Sequence, residues 1–305
     1  MSRSKGVLYT LVTSVLFAGS FVAAKYSTLE LQPLTTTLLR YLIALLFLTC
    51  LLPSFGKASL RVRQRDLIPL MLLGLTGVVG YHFFFFTSLH YTQVANTAII
   101  NALNPIVTGL AAAAFIGERL TISTYLGVLL AVSGALLLLI KGDVARLFGL
   151  SFNQGDLLML GAVANWVAYS LLARILLKRY NSYTVTFYAA LFGVFILMLL
   201  VFREDFLTQI SGISWRTFAS VLYMGVFASG LGYLLYNLAI GEIGPTRTSG
   251  FVFSFVPIFV AALAYLFFKE PVTWSMAAGM LLIISGLNFM LGEPTSVAPS
   301  VPRQD

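Results

Sequence analysis

Four polar side chains, Thr97, Asn101, Asn104 and Thr108, recur at steps of four, three and four residues in an otherwise apolar stretch. That rhythm puts two amides and two hydroxyls on one face of a helix. Such groups are poor nucleophiles and poor proton carriers at neutral pH. Their chemistry is recognition: they hydrogen-bond the polar end of a bound molecule, or one another across a helix pair. Aromatic residues make up 14% of the chain and supply the complementary surface. Tyr81, Trp166 and Tyr233 are candidates for an aromatic wall around a solute, and Tyr169, Tyr236 and Asn237 add hydroxyl and amide groups. Tyrosines near helix ends serve equally well in an interfacial belt, so that role stays open for them.

The ionisable residues narrow the chemistry. Arg40 and Arg247 lie within apolar segments, where a charge costs a few kcal/mol, and are candidates for charge recognition. Lys25 and Arg174 occupy matching positions near helix ends, where long side chains snorkel. Glu30, Glu118, Glu242 and Glu270 fall at or beyond segment ends, so no carboxylate is placed as a mid-span proton carrier. Glu118 and Glu270, ahead of Thr121 and Thr273, read as partners of the helix starts that follow them. His82 can titrate, but a lone histidine within an aromatic run reads more simply as packing. Two histidines, no grouping of metal ligands and no phosphate-binding glycine loop argue against an enzyme, and neither a metal nor a cofactor is expected.

The elements that must hold these groups follow from composition. With 59% hydrophobic and 10% charged residues and a mean hydropathy of +0.92, the chain has too little polar surface to cover a soluble globule. The net charge of +8 therefore reads as membrane topology rather than nucleic-acid binding. The lone Cys50 forms no intrachain disulfide. Apolar stretches of about 20 residues each span a bilayer. They predict helices near 6–27, 33–53, 67–89, 95–116, 121–140, 156–178, 183–202, 216–240, 246–268 and 273–291, with the first retained rather than cleaved as a signal.

The chain is also an internal duplication. At an offset of 152 residues Gly80, Tyr81, Pro105, Phe115, Glu118, Gly127 and Gly134 meet Gly232, Tyr233, Pro257, Phe267, Glu270, Gly279 and Gly286. The expected organisation is a first repeat over 1–141, a connector over 142–154, a second repeat over 155–292 and a disordered tail over 293–305. Amino-terminal residues inside would put Arg3, Lys5, Lys57, Arg61, Arg63, Arg65, Arg119, Lys178, Arg179 and Arg303 on the cytoplasmic side. Lys141, Arg146, Arg203, Arg216 and Lys269 would then be outside. Ten against five favours cytoplasmic termini, and five helices per half then force the halves into inverted orientations. Pro105 and Pro257 interrupt the fourth and ninth helices at matched depth and are candidate hinges. Gly127, Ala131 and Gly134, with Gly279 and Gly286, form strips suited to close helix packing. The helix-4 stripe has Ser249, Phe253, Val256 and Val260 as counterparts, so a cavity between the halves should be amide-lined on one side and apolar on the other.

The segment FAGSFVAAK matched by NWVAYSLLAR, with the paired GERLT and KEPVT motifs, resembles the drug/metabolite transporter superfamily, EamA-like family. The resemblance covers nearly the whole chain. It implies an all-α polytopic membrane protein of ten transmembrane helices in two inverted five-helix repeats. It also implies a multi-pass cell-membrane carrier that moves a small solute, most often an exported amino acid or derivative, through a cavity lined mainly by helices 1, 3, 4, 6, 8 and 9. A multidrug or nucleotide-sugar carrier, or a non-transporting membrane receptor or enzyme, is the alternative, although phosphate recognition would ask for more inward basic residues. The expected partners are a small-molecule solute and the lipid bilayer. Both a monomer and a self-associated form are compatible with this reading.

Overall fold

The computed structural model of the protein describes residues 3–56, 60–88, 90–91, 100–118, 121–139, 153–268 and 274–291. Thr97, Glu270, Thr273, the side chain of Lys25, the connector through residue 152 and the tail from residue 292 lie outside the described residues.

The described residues form helices and no strands. In chain order they are α1 (Arg3–Ser27), α2 (Pro33–Phe55), α3 (Gln64–Ser88), α4 (Asn104–Ile116), α5 (Ile122–Leu139), α6 (Gln154–Leu176), α7 (Ser182–Leu200), α8 (Trp215–Ile243), α9 (Pro245–Phe268) and α10 (Trp274–Leu291). A short helix, Phe206–Ser211, precedes α8. Among the described residues, six helices contain apolar runs long enough to cross a bilayer, and three further apolar stretches, Asn104–Ile116, Ile122–Gly134 and Ala277–Gly286, are shorter. Their outer faces carry exposed apolar side chains such as Leu46, Phe115, Leu199 and Leu281, which suits a lipid solvent.

Local sequence explains where the helices start. Asn153 and Asp156 form a reciprocal capping box at α6. Asn181 accepts from the Thr184 amide at α7, and Ser214 accepts from the Thr217 amide at α8. Pro105 stands in the first turn of α4, where a missing amide hydrogen costs nothing. The chain is helical at Ile100 and Asn101 and turns at Ala102 and Leu103 before α4 begins. Pro105 thus starts a helix segment, whereas Pro257 lies inside the continuous α9. The two prolines are equivalent in sequence and differ in local structure.

α3 and α8 each contain a π-helical segment, Gly74–Gly80 and Met224–Gly232. Both end on a glycine directly followed by a tyrosine, Tyr81 and Tyr233, so the duplication extends to this rare feature. The glycines admit close neighbours: at Gly74 a β-carbon would lie 2.6 Å from the Gly193 nitrogen on α7.

The main pairings survive an exchange of the two halves. α1 packs along α8 as α6 packs along α3, α2 meets the π segment of α8 as α7 meets that of α3, and α1 meets α9 as α6 meets α4. α2–α7, α4–α9 and α5–α10 pair each helix with its own equivalent. The strips expected from the sequence do meet: Gly134 lies against the backbone of Gly279 and Ile283, and Gly286 against that of Gly127 and Ala131.

Candidate functional site

A cleft of about 530 Å³, its mouth included, lies among α1, α2, α3, α6, α8 and α9. Both repeats build it. The first contributes Phe17, Ser20, Phe21, Ala24, Arg40, Tyr81, His82, Phe85 and Phe86; the second contributes Trp166, Tyr233, Phe253 and Val256. Trp166 is its centre, with ring centroids 4.8 Å from Tyr81, 5.4 Å from Tyr233, 5.6 Å from Phe253 and 5.9 Å from Phe17. Most of these contacts are tilted or edge-on, the arrangement favoured by the ring quadrupoles.

A second layer holds this wall in place. Trp166 Nε1 donates to the Tyr236 hydroxyl at 2.9 Å, and Ser170 bonds the same hydroxyl at 3.1 Å. Asn237 Nδ2 donates to Tyr169 at 2.7 Å and to Thr186 at 2.9 Å. Tyr233 donates to the Gly77 carbonyl at 2.9 Å, within the π segment of the opposite repeat. Of the aromatic candidates, Tyr81, Trp166 and Tyr233 therefore meet on the cleft. Tyr169, Tyr236 and Asn237 stand behind them as supports.

The helix-4 stripe lies elsewhere. Asn104 Nδ2 donates to Asn101 Oδ1 at 2.7 Å and to the Asn101 carbonyl at 3.1 Å. Thr108 donates to Ser249 of α9 at 3.4 Å. Asn101, Asn104 and Thr108 are buried, and none lines the cleft. The two amides thus bond each other within their own segment, Thr108 reaches α9, and α2, through Arg40, takes the place expected for helix 4 on the cleft wall. Asn101→Leu should leave the Asn104 amide one acceptor short and cost about 1–3 kcal/mol of stability. Thermal unfolding at fixed detergent would register this, and an unchanged midpoint would contradict the assignment.

The charged candidates separate in the same way. Arg40 is on the cleft wall and donates from Nε to Ser229 of the α8 π segment at 2.8 Å. Arg247 is buried in the first turn of α9 and is not part of the lining. Arg174 donates to the Ile240 and Gly241 carbonyls, both at 2.9 Å, at the carboxyl-terminal end of α8. His82 Nδ1 lies 2.9 Å from the Val78 carbonyl and therefore carries the hydrogen, which leaves a packed ring facing the cleft.

Three glutamates have partners that local sequence could not reveal. Glu118, expected at the start of α5, instead receives Thr246 Oγ1 at 2.8 Å at the start of α9. Thr121 caps α5 alone, accepting from the Thr124 amide. Burial pushes the Glu118 carboxyl above its ordinary pKa, against the Thr246 hydrogen bonds and the nearby Arg174 and Arg247 charges. Glu204 accepts the Leu34 and Thr35 amides at 3.0 and 2.7 Å, and so caps α2, whose own Gln32 makes no side-chain cap. Glu30 accepts the Ser214 amide ahead of α8, which draws its pKa below the usual carboxylate value. Each of these contacts joins one repeat to the other.

Residues 4–140 and again 153–292 match the model of the EamA-like transporter family. The chain belongs to the EamA-like transporter family. It is similar to the uncharacterized transporter YyaM of Bacillus subtilis (strain 168), 28% identical over 90% of this chain and 89% of the relative. It is also similar to a probable terminal-alkyne amino-acid exporter of Streptantibioticus cattleyicolor, 26% identical over 92% of each chain. A solved crystal structure, 21% identical and covering 94% of this chain and 96% of its own, superposes with a TM-score of 0.75 and shares the fold. The protein is thus an EamA-like membrane transporter, multi-pass and not an enzyme, and its cleft is built from side chains of both EamA repeats.

Proposed function

We propose that this EamA-like protein moves a small amphipathic metabolite, an amino acid or derivative, out of the cell by alternating access through the aromatic cleft. The observation that carries this reading is that both repeats wall one cleft around Trp166. When two halves share a site, a shift of one against the other re-exposes it on the opposite side. Ten spans in two inverted repeats complete the proposal, supported by the pairing scheme that survives exchange of the halves and by the matched π segments. The described carboxylates are engaged at helix termini or exposed, which favours facilitated diffusion or exchange over obligatory proton coupling. Pro105 and Pro257 are retained as hinge candidates. The resemblance to an amino-acid exporter supports the choice of solute class.

The deciding experiment is counterflow of a panel of radiolabelled amino acids in proteoliposomes, with and without a pH gradient. Saturable exchange insensitive to the gradient is the expected result; absence of flux for every member would refute the assignment. The proposal also sets the protein in the cell membrane with cytoplasmic termini. In a Cys50→Ala background, Lys178→Cys should react only from the cytoplasm and Gly212→Cys only from outside. Lys178 is exposed, and the position of Gly212 has open space for a side chain. Labelling of both from one side would remove the inverted arrangement.

A further inference from the structure

We infer that Arg40 is the carboxylate anchor of the cleft, and that the solutes are apolar or aromatic monocarboxylates whose amino group is dispensable. This rests on the cleft being the solute site. Arg40 is 4% exposed, with only its Nε engaged, by Ser229. The four N–H groups on its two terminal nitrogens have no acceptor among the described residues. Its guanidinium carbon lies 5.7 Å from the centre of the Tyr41 ring, and Tyr81, His82 and Tyr233 share the wall with it.

No described carboxylate answers this charge. Glu30, Glu118 and Glu204 bind helix starts, Asp156 closes its capping box, and Asp66 pairs with Arg179 at 2.7 Å. Asp205 and Glu242 are exposed. A guanidinium stays charged in proteins and is costly to bury without a counter-ion. Because Ser229 holds the Nε side, the free edge is the terminal pair of nitrogens, a fork that matches the two oxygens of one carboxylate. A single positive charge suits a monoanion better than a phosphate ester. An ammonium group finds no carboxylate in the described lining, only the Ser20, Tyr81 and Tyr233 hydroxyls, the His82 ring and aromatic faces. The body of the solute would rest among Phe21, Phe85, Trp166 and Phe253.

The test is equilibrium binding to purified protein of phenylalanine, phenylalaninamide and 3-phenylpropionate, with the corresponding leucine series. The two carboxylates of each series should bind within about threefold of each other and the amide about 10- to 100-fold more weakly, as the loss of a charge-assisted hydrogen bond requires. Arg40→Gln should abolish this preference and Arg40→Lys should retain part of it. If Arg40→Gln fails to fold, the wild-type series and Arg40→Lys still decide. Amides that bind as tightly as acids, or the absence of binding by any carboxylate, would overturn the anchor. Proteoliposome counterflow separates the failures: flux without a carboxylate preference overturns only the anchor, and no flux overturns the transport reading itself.

Discussion

Trp166→Ala should remove solute binding and lower stability by about 3–5 kcal/mol, the range for truncating a fully buried tryptophan. The residue is 2% exposed and joins Phe17, Tyr81, Tyr233, Tyr236 and Phe253 into one aromatic surface. Removing it leaves the Tyr236 hydroxyl without its indole donor and opens a void at the meeting point of the two repeats. Trp166→Phe separates the two losses. It keeps most of the ring contacts and forfeits only the indole N–H, at a cost of about 1 kcal/mol. Thermal unfolding and equilibrium binding in the same detergent measure both effects. Normal affinity in a folded Trp166→Ala protein would place the solute site outside this cleft.

The second large effect is expected at the α5–α10 contact. At Gly286 a β-carbon would lie 2.5 Å from the Gly127 carbonyl oxygen and 2.6 Å from the Ala131 nitrogen, and both are backbone atoms that no rotamer change can move. At Gly134 the corresponding obstacles are the Gly279 carbonyl oxygen at 2.5 Å and the Ile283 nitrogen at 2.8 Å. One methyl group must therefore push the helices apart. Lipid gives no hydrophobic gain in return, because helix association in a membrane depends on close packing. Gly286→Ala should cost about 1–3 kcal/mol, as overpacking does elsewhere, and Gly286→Leu should prevent recovery of monodisperse protein. Gly241→Ala is the control. It also lies in a helix, but a β-carbon there meets nothing within 4 Å, so it should be neutral or stabilise by about 0.4–1 kcal/mol. Equal unfolding midpoints for Gly286→Ala and Gly241→Ala would show that the two helices do not pack as described.

Much of this architecture was legible in the chain. The 152-residue offset matches Gly80-Tyr81 with Gly232-Tyr233, and the structure gives both pairs the same place at the end of a π segment. What the offset did not disclose was the π geometry itself, since glycine-rich stretches are equally compatible with an ordinary helix. The small-residue strips of α5 and α10 were readable because only glycine and alanine permit such an approach. The polar stripe of helix 4 shows the limit of periodicity. Spacing established that Asn101, Asn104 and Thr108 share a face, but not what the face meets. In the structure Thr108 meets Ser249 of α9, while Asn101 and Asn104, on either side of the turn at Ala102 and Leu103, bond each other.

The sequence by itself determined the class, the duplication, the approximate helix positions and three aromatic residues of the cleft, Tyr81, Trp166 and Tyr233. Each of these depends on composition or on short-range spacing within one element. Only the tertiary structure decided that Glu204 caps α2, that Glu118 meets α9 rather than α5, and that Arg40 faces the cleft with its terminal nitrogens unengaged. Glu204 lies about 170 positions from the amides it accepts, and Ser229 lies 189 positions from Arg40. No local pattern encodes such a pairing. It exists because burying charged and polar groups is costly, and the folded chain must satisfy them with whatever the opposite repeat brings within reach.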